Sequence, residues 1–135
     1  MTLAPLLTAP FAIKIHVAFS VAALLAGAAI AVMRKGTARH RGVGRFGVLM
    51  LALAALTSFA IYRNGFSLIH GLSILSLASL AMGIVRTRNG DRRGHRGYMT
   101  GAWLGLVAAA IGTLAPGRIM HAVVFAGLAP LNHVP

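Results

Sequence analysis

The sequence predicts an all-α integral membrane protein: an up-down four-helix transmembrane bundle built from two repeated hairpins, with a short C-terminal interfacial helix. Of the 135 residues, 58% are apolar and only 10% are charged, whereas soluble domains carry about a quarter charged residues. Each of four apolar segments is close to the ~20 residues that cross a hydrocarbon core. The four predicted spans are residues 10–33, 46–62, 66–85 and 99–115.

The ends of these segments carry helix start and stop signals. Pro10 suits the first position of a helix, and Gly36 suits a left-handed residue at the end of the first span. Thr37 and Asp91 are N-cap residue types that precede the second and fourth spans. We therefore expect both of these helices to begin inside the basic loops, so that the motifs His40-Arg41-Gly42 and His95-Arg96-Gly97 lie on their first turns.

The charge distribution predicts the orientation in the membrane. The chain has 13 basic residues and one acidic residue, for a net charge of +12. Most basic residues lie in the first and third loops, and the positive-inside rule places those loops in the cytoplasm. The expected location is the bacterial inner membrane, with several spans and both termini in the periplasm. These loop residues are Arg34, Lys35, Arg39, Arg41, Arg45, Arg86, Arg88, Arg92, Arg93 and Arg96.

The same distribution bears on the partners of the chain. Basic loops flanking apolar spans are explained by the anionic headgroups of membrane lipids, so nucleic acid is not an expected partner. The chain has no cysteine, which excludes disulfides, cysteine-bound iron–sulfur clusters and c-type haem attachment.

Two features are expected at the membrane interfaces. The apolar segment from Ile119 to Ala129 is too short to span unaided, so we expect it to lie along the outer interface. Tyr62, Tyr98 and Trp103 are aromatic residues of the types found at headgroup level.

The two halves of the chain resemble each other, so residues 1–135 are treated as one transmembrane domain of two hairpins, about 10–63 and 66–116. Ile-His pairs at 15–16 and 69–70 open the halves, and each half continues through an apolar run into a basic loop. Within those loops Gly36 matches Gly90, and with one inserted residue the two His-Arg-Gly motifs match. Both hairpins start on the same side, which predicts a parallel repeat.

One histidine falls in each predicted helix: His16, His40, His70 and His95. Polar residues inside a membrane are costly and usually functional. Alternate helices of an up-down bundle lie diagonally opposite, so His16 can face His70 near the outer face, and His40 can face His95 near the inner face. Facing imidazoles are the axial ligands of a six-coordinate b-type haem.

The predicted function is therefore a haem b protein that transfers electrons, exchanging them with a quinone or a redox partner protein. No catalytic residue is predicted. Nearby arginines are candidates for pairing with haem propionates or with lipid headgroups. They are Arg39, Arg41, Arg92, Arg93 and Arg96.

Other interpretations of the histidines stay open. Histidines near helix ends can simply lie at the interface, and a transition-metal site of four histidines would need both pairs to share one ion. His121 can replace either outer ligand, and no role is assigned to His133. There are two alternative functions: a non-catalytic accessory subunit of a larger membrane complex, and a small-molecule or ion carrier. A homodimer is also a possible assembly.

Several motifs carry a family resemblance over about residues 11–118. The stretch from Arg34 to Arg45, the segment from Phe66 to His70 and the turn from His95 to Met99 resemble a family of small bacterial four-helix membrane proteins of unknown function. More distantly, one histidine on each of four helices is similar to the cytochrome b561 and ferric-reductase-like di-haem bundles. That resemblance implies that His16 shares one haem with His70, and that His40 shares the other with His95.

Overall fold

A computed structural model describes residues 3–61 and 68–125, and every regular element within them is an α-helix. The predicted all-α class is confirmed. The helices are α1 (Ala4–Leu7), α2 (Phe11–Val32), α3 (Ala38–Ser58), α4 (Leu68–Arg88), α5 (Arg92–Gly112) and α6 (Ile119–Phe125). The loop that joins the two hairpins and the residues after Phe125, including His133, lie outside the described part.

Three of the described helices are long and apolar enough to cross a membrane: α2, α3 and the part of α4 from His70 to Arg88. The prediction of four such spans is not matched at α5. That helix has a suitable length, but Arg92, Arg93 and Arg96 occupy its first turns. Its uncharged part, residues 97–112, is only about 24 Å long at 1.5 Å per residue, which is less than a hydrocarbon core of about 30 Å.

The predicted caps are confirmed at the starts of α3 and α5. The Thr37 hydroxyl accepts a hydrogen bond from the His40 backbone N–H at 3.1 Å, and the Asp91 carboxylate accepts one from the Gly94 N–H at 2.8 Å. Each cap follows a glycine with a left-handed backbone, since φ is +82° at Gly36 and +76° at Gly90. Both helices thus begin inside the basic loops, as predicted.

Two of the predicted helix ends need correction. Pro10 is the N-cap of α2 rather than its first helical residue, because its ψ of 147° is extended. At the other end, α2 stops at Val32, so Gly36 lies in the turn before α3 and not directly after the helix.

The inserted residue between the two repeats changes the position of the second histidine. His40 is the third helical residue of α3, whereas His95 is the fourth helical residue of α5. One residue turns a side chain by about 100° around a helix. The two matching motifs therefore present their histidines in different directions from their helix starts.

The four long helices pack in a closed order. α2 packs along α3 and α4 packs along α5, while contacts of α3 with α4 and of α2 with α5 join the two hairpins. One buried residue from each long helix meets in the core, namely Ala23, Leu51, Leu80 and Ala102. Two of these, Ala23 and Ala102, are alanines, so α2 and α5 can approach their neighbours closely, as is typical of membrane helices.

Trp103 joins α2 to α5, and its expected place at a membrane interface stays a prediction. Its ring lies against Gly27, where a Cβ atom would overlap ring atoms Cδ1 and Nε1. The indole N–H donates to the Leu24 carbonyl at 3.3 Å. Gly27 thus provides the space in which the large ring packs between the helices.

The two ends of the described chain meet. The short helix α1, which the sequence reading did not predict, packs against α6, and Ala9 and Val123 are buried there. Helix α6 covers the beginning of the predicted 119–129 segment, and residues 126–129 lie outside the described part.

Candidate histidine site

The four candidate histidines lie in two groups at opposite ends of the long helices. His16 and His70 lie near the starts of α2 and α4, where both contact the last turns of α3. His40 and His95 lie near the starts of α3 and α5, at the end that carries the arginine loops. We call this end, formed by residues 33–45 and 86–96, the basic end.

His16 is held by α3. Its Nδ1 lies 2.9 Å from the Ala54 carbonyl oxygen and 3.3 Å from the Thr57 hydroxyl. The Thr57 hydroxyl in turn lies 2.8 Å from the Leu53 carbonyl, to which it donates. Because a carbonyl oxygen can only accept, Nδ1 of His16 carries the proton.

His95 is held in the same way by α4. Its Nδ1 lies 2.9 Å from the Gly83 carbonyl oxygen and 2.5 Å from the Thr87 hydroxyl. Thr87 donates to the same Gly83 carbonyl at 3.1 Å. A backbone carbonyl and a threonine hydroxyl of the neighbouring helix therefore fix this ring, as they fix His16.

This shared arrangement determines which ring nitrogen is available as a ligand. In a neutral imidazole, a protonated Nδ1 leaves the lone pair on Nε2. Histidines that bind metals commonly donate their other N–H to a backbone carbonyl, which sets the tautomer and the ring orientation. His16 and His95 both have this geometry.

His70 is the most buried of the four, with 6% of its surface exposed. Its ring centroid lies 5.5 Å from that of Phe59, with the planes tilted by 38°. Next to it, the hydroxyls of Ser58 and Ser73 are 2.7 Å apart and join α3 to α4. His16 and His70 thus contact α3 within two turns of each other, at Ala54 and Phe59.

His40 has an unsatisfied ring nitrogen. Its Nδ1 is buried and finds no hydrogen-bond partner in the described part of the chain. His40 and His95 lie on diagonally opposite helices, each within the first turn at the basic end.

Glycines leave open space beside three of the histidines. A Cβ atom added at Gly42, Gly71 or Gly97 would meet no atom within 4 Å. Gly71 directly follows His70, and the other two close the His-Arg-Gly motifs. Each of these glycines therefore presents backbone without a side chain close to a candidate histidine in the sequence.

The candidate arginines surround the basic end at its surface. All five are exposed, and Arg41 donates to the Gly36 carbonyl at 2.9 Å. A sixth arginine, Arg86, forms an ion pair with Asp91 at 3.2 Å. The five candidates are Arg39, Arg41, Arg92, Arg93 and Arg96.

The remaining histidine in the described part is separate from both groups. His121 stacks on Phe125 within α6, with ring centroids 4.9 Å apart, and α6 packs mainly against α1. Across residues 3–61 and 68–125, no three His, Asp or Glu side chains form a group that could hold one metal ion.

Thr57 and Thr87 are the site residues that the sequence reading missed. A threonine inside a helix commonly bonds the carbonyl of the preceding turn, and both do so. The sequence offers one signal: each is a threonine close to the end of a predicted helix that neighbours a histidine helix.

No protein-family model matches this chain, and no characterised protein or solved structure shows significant similarity to it. The resemblances to a family of small bacterial membrane proteins and to di-haem cytochrome bundles therefore stay predictions.

Proposed function

We propose that the chain is a haem b protein of the bacterial inner membrane that transfers electrons. In this proposal α2 to α5 form an up-down transmembrane four-helix bundle, α6 lies at the outer interface, and both termini are periplasmic. The closed packing order of the four helices supports the bundle. The positive charge of the basic end supports its cytoplasmic location, and the arginines of α5 would extend into the headgroup region.

The observation that carries the haem proposal is the fixed tautomer of His16 and His95. Each ring donates from Nδ1 to a backbone carbonyl at 2.9 Å, which leaves Nε2 as the ligand atom. An interfacial histidine would need no such support from a neighbouring helix, because water can bond both of its nitrogens.

In this proposal the four histidines act as two pairs of ligands, one at each end of the bundle. His16 would pair with His70, beside the open backbone of Gly71, and His95 would pair with His40, whose buried Nδ1 finds no partner within the described residues. The exposed arginines of the basic end would bind propionates. A bound b-type haem supplies reversible one-electron transfer at its iron.

Thr57 and Thr87 act as positioning residues in this proposal. Each hydroxyl lies next to the Nδ1 of a candidate ligand and is itself oriented by a carbonyl of its own helix. Replacing either by valine keeps the side-chain shape but removes one of the two groups that hold the ring. We expect weaker haem retention, because second-shell changes typically cost 10–100-fold in affinity.

The test is the visible spectrum of the purified protein, expressed with ample haem and combined with a pyridine haemochrome assay. Bound haem b with a low-spin spectrum supports the proposal. The next step would be to identify the electron donor or acceptor of the protein, which we expect to be a quinone or a redox protein. Protein that folds and contains no haem would refute it. Co-purification with a defined membrane complex would then favour the accessory-subunit alternative, whereas solute transport in liposomes would favour a carrier.

A further inference from the structure

A cleft lies between α4 and α5 and is lined by residues of these two helices. Its volume is about 160 Å³, which is enough for an apolar group of the size of benzene. Leu75, Ser76 and Ser79 line it from α4, and Gly101 and Gly105 line it from α5. A Cβ atom at Gly101 would meet nothing within 4 Å, and Leu75 is 62% exposed. The cleft is therefore open towards the surroundings of the helices.

The cleft contains hydroxyl groups. Ser76 and Ser79 line it, and Ser76 is 6% exposed. A hydroxyl that faces apolar surroundings costs free energy unless it has a hydrogen-bond partner. An occupant with an acceptor oxygen at this depth would supply that partner, which a pure hydrocarbon would not.

The same face of α4 leads to positive charge. Residues 72, 76, 79, 83 and 86 follow one another at three- and four-residue spacing, so they share a face of the helix. Arg86 stands at the basic end of this face, paired with Asp91 above Gly94. Four further arginines lie within five residues of Asp91, which is the only acidic side chain of the sequence. They are Arg88, Arg92, Arg93 and Arg96.

We propose that the α4–α5 cleft binds one anionic phospholipid. Its acyl chain lies in the cleft over Gly101 and Gly105, an ester carbonyl accepts from Ser76, and its phosphate lies among the arginines near Arg86. Ser76 and Arg86 are about 15 Å apart along the helix axis, a span that an arginine side chain, a phosphate and a glycerol cover together. This site is independent of haem binding.

The experiment uses delipidated full-length protein in detergent, with phosphatidylglycerol or phosphatidylcholine added and bound lipid counted by native mass spectrometry. We expect phosphatidylglycerol to bind at least tenfold more tightly than phosphatidylcholine. Gly101→Leu should fill the cleft and lower phosphatidylglycerol affinity at least tenfold. Gly112→Leu is the matched control, because it lies on the same helix, also has open space, and should bind as the unmodified chain does.

A second pair of variants keeps the proposal falsifiable if Gly101→Leu does not fold. Ser76→Ala should lower phosphatidylglycerol affinity about fivefold, the effect of one hydrogen bond. Ser20→Ala removes a hydroxyl on α2, which is buried and has no partner in the described part, and should have no effect. Equal affinity for the two lipids, or equal loss in a variant and its control, would overturn the proposal. The same mass spectra also report dimers. If Gly101→Leu disrupts a dimer and leaves lipid binding unchanged, the cleft binds a second copy of the chain and the proposal is overturned.

Discussion

Replacing Gly27 by alanine should destabilise the protein, although glycine-to-alanine changes inside helices usually stabilise. The new Cβ would overlap two atoms of the Trp103 ring, and a rigid indole cannot yield at its near edge without moving as a whole. Trp103 must then leave its place between α2 and α5 and give up its hydrogen bond to the Leu24 carbonyl.

The expected size follows from three contributions. Overpacking costs about 1–3 kcal/mol, and the lost hydrogen bond costs about 1 kcal/mol. Better helix propensity returns about 1 kcal/mol. The net expectation is a destabilisation of about 2 kcal/mol, in contrast to Gly44→Ala, where the new methyl group would meet no atom within 4 Å and should be neutral or stabilising.

The assay is unfolding in mixed micelles followed by tryptophan fluorescence. Trp103 is the only tryptophan of the chain, so the emission reports its environment directly. Gly27→Ala should shift the emission maximum of the folded state and lower the midpoint of unfolding. Equal midpoints and unchanged emission in Gly27→Ala and Gly44→Ala would refute the contact between α2 and α5.

Three further predictions concern the helix ends and the orientation. Thr37→Ala should destabilise α3 by about 1 kcal/mol through loss of its N-cap, while Thr37→Ser should not, as judged by the same unfolding assay. Gly90→Ala should cost about 1 kcal/mol or more, because φ is +76° there, whereas Gly112→Ala should not. A reporter that is active only outside the cytoplasm should be active when fused after Pro135, and activity confined to a cytoplasmic reporter would invert the proposed orientation.

The helix starts at the basic end could be predicted because capping is local chemistry. A threonine or an aspartate binds an N–H three residues away, so the loop sequence alone specifies where α3 and α5 begin. The placement of the histidines near opposite ends of the helices follows from the same local reasoning about segment lengths.

The contacts between helices could not be predicted in this way. Trp103 packs against Gly27, and His16 forms a hydrogen bond with the Ala54 carbonyl. Both contacts depend on how helices that are distant in the sequence are rotated relative to each other. Apolar segments with little contrast between their faces carry no periodic signal of that rotation. The residue type of Trp103 favours a membrane interface but carries no information on which helix its ring contacts.

The weak match of α5 to a membrane span has a different origin. Its capped start at Asp91 brings three arginines into the helix, whereas the predicted span began only after them. Counting apolar residues located the segment but could not show how much of the charged loop the helix includes.

The paired action of the histidines is the central claim, and spectra of four single alanine variants test it most directly. His16→Ala and His70→Ala should each remove the low-spin character of one haem component and leave the other intact. His40→Ala and His95→Ala should both remove the second component, and Thr57→Val and Thr87→Val should weaken the first and the second respectively. Haem-free protein, or four variants with unchanged spectra, would contradict the account.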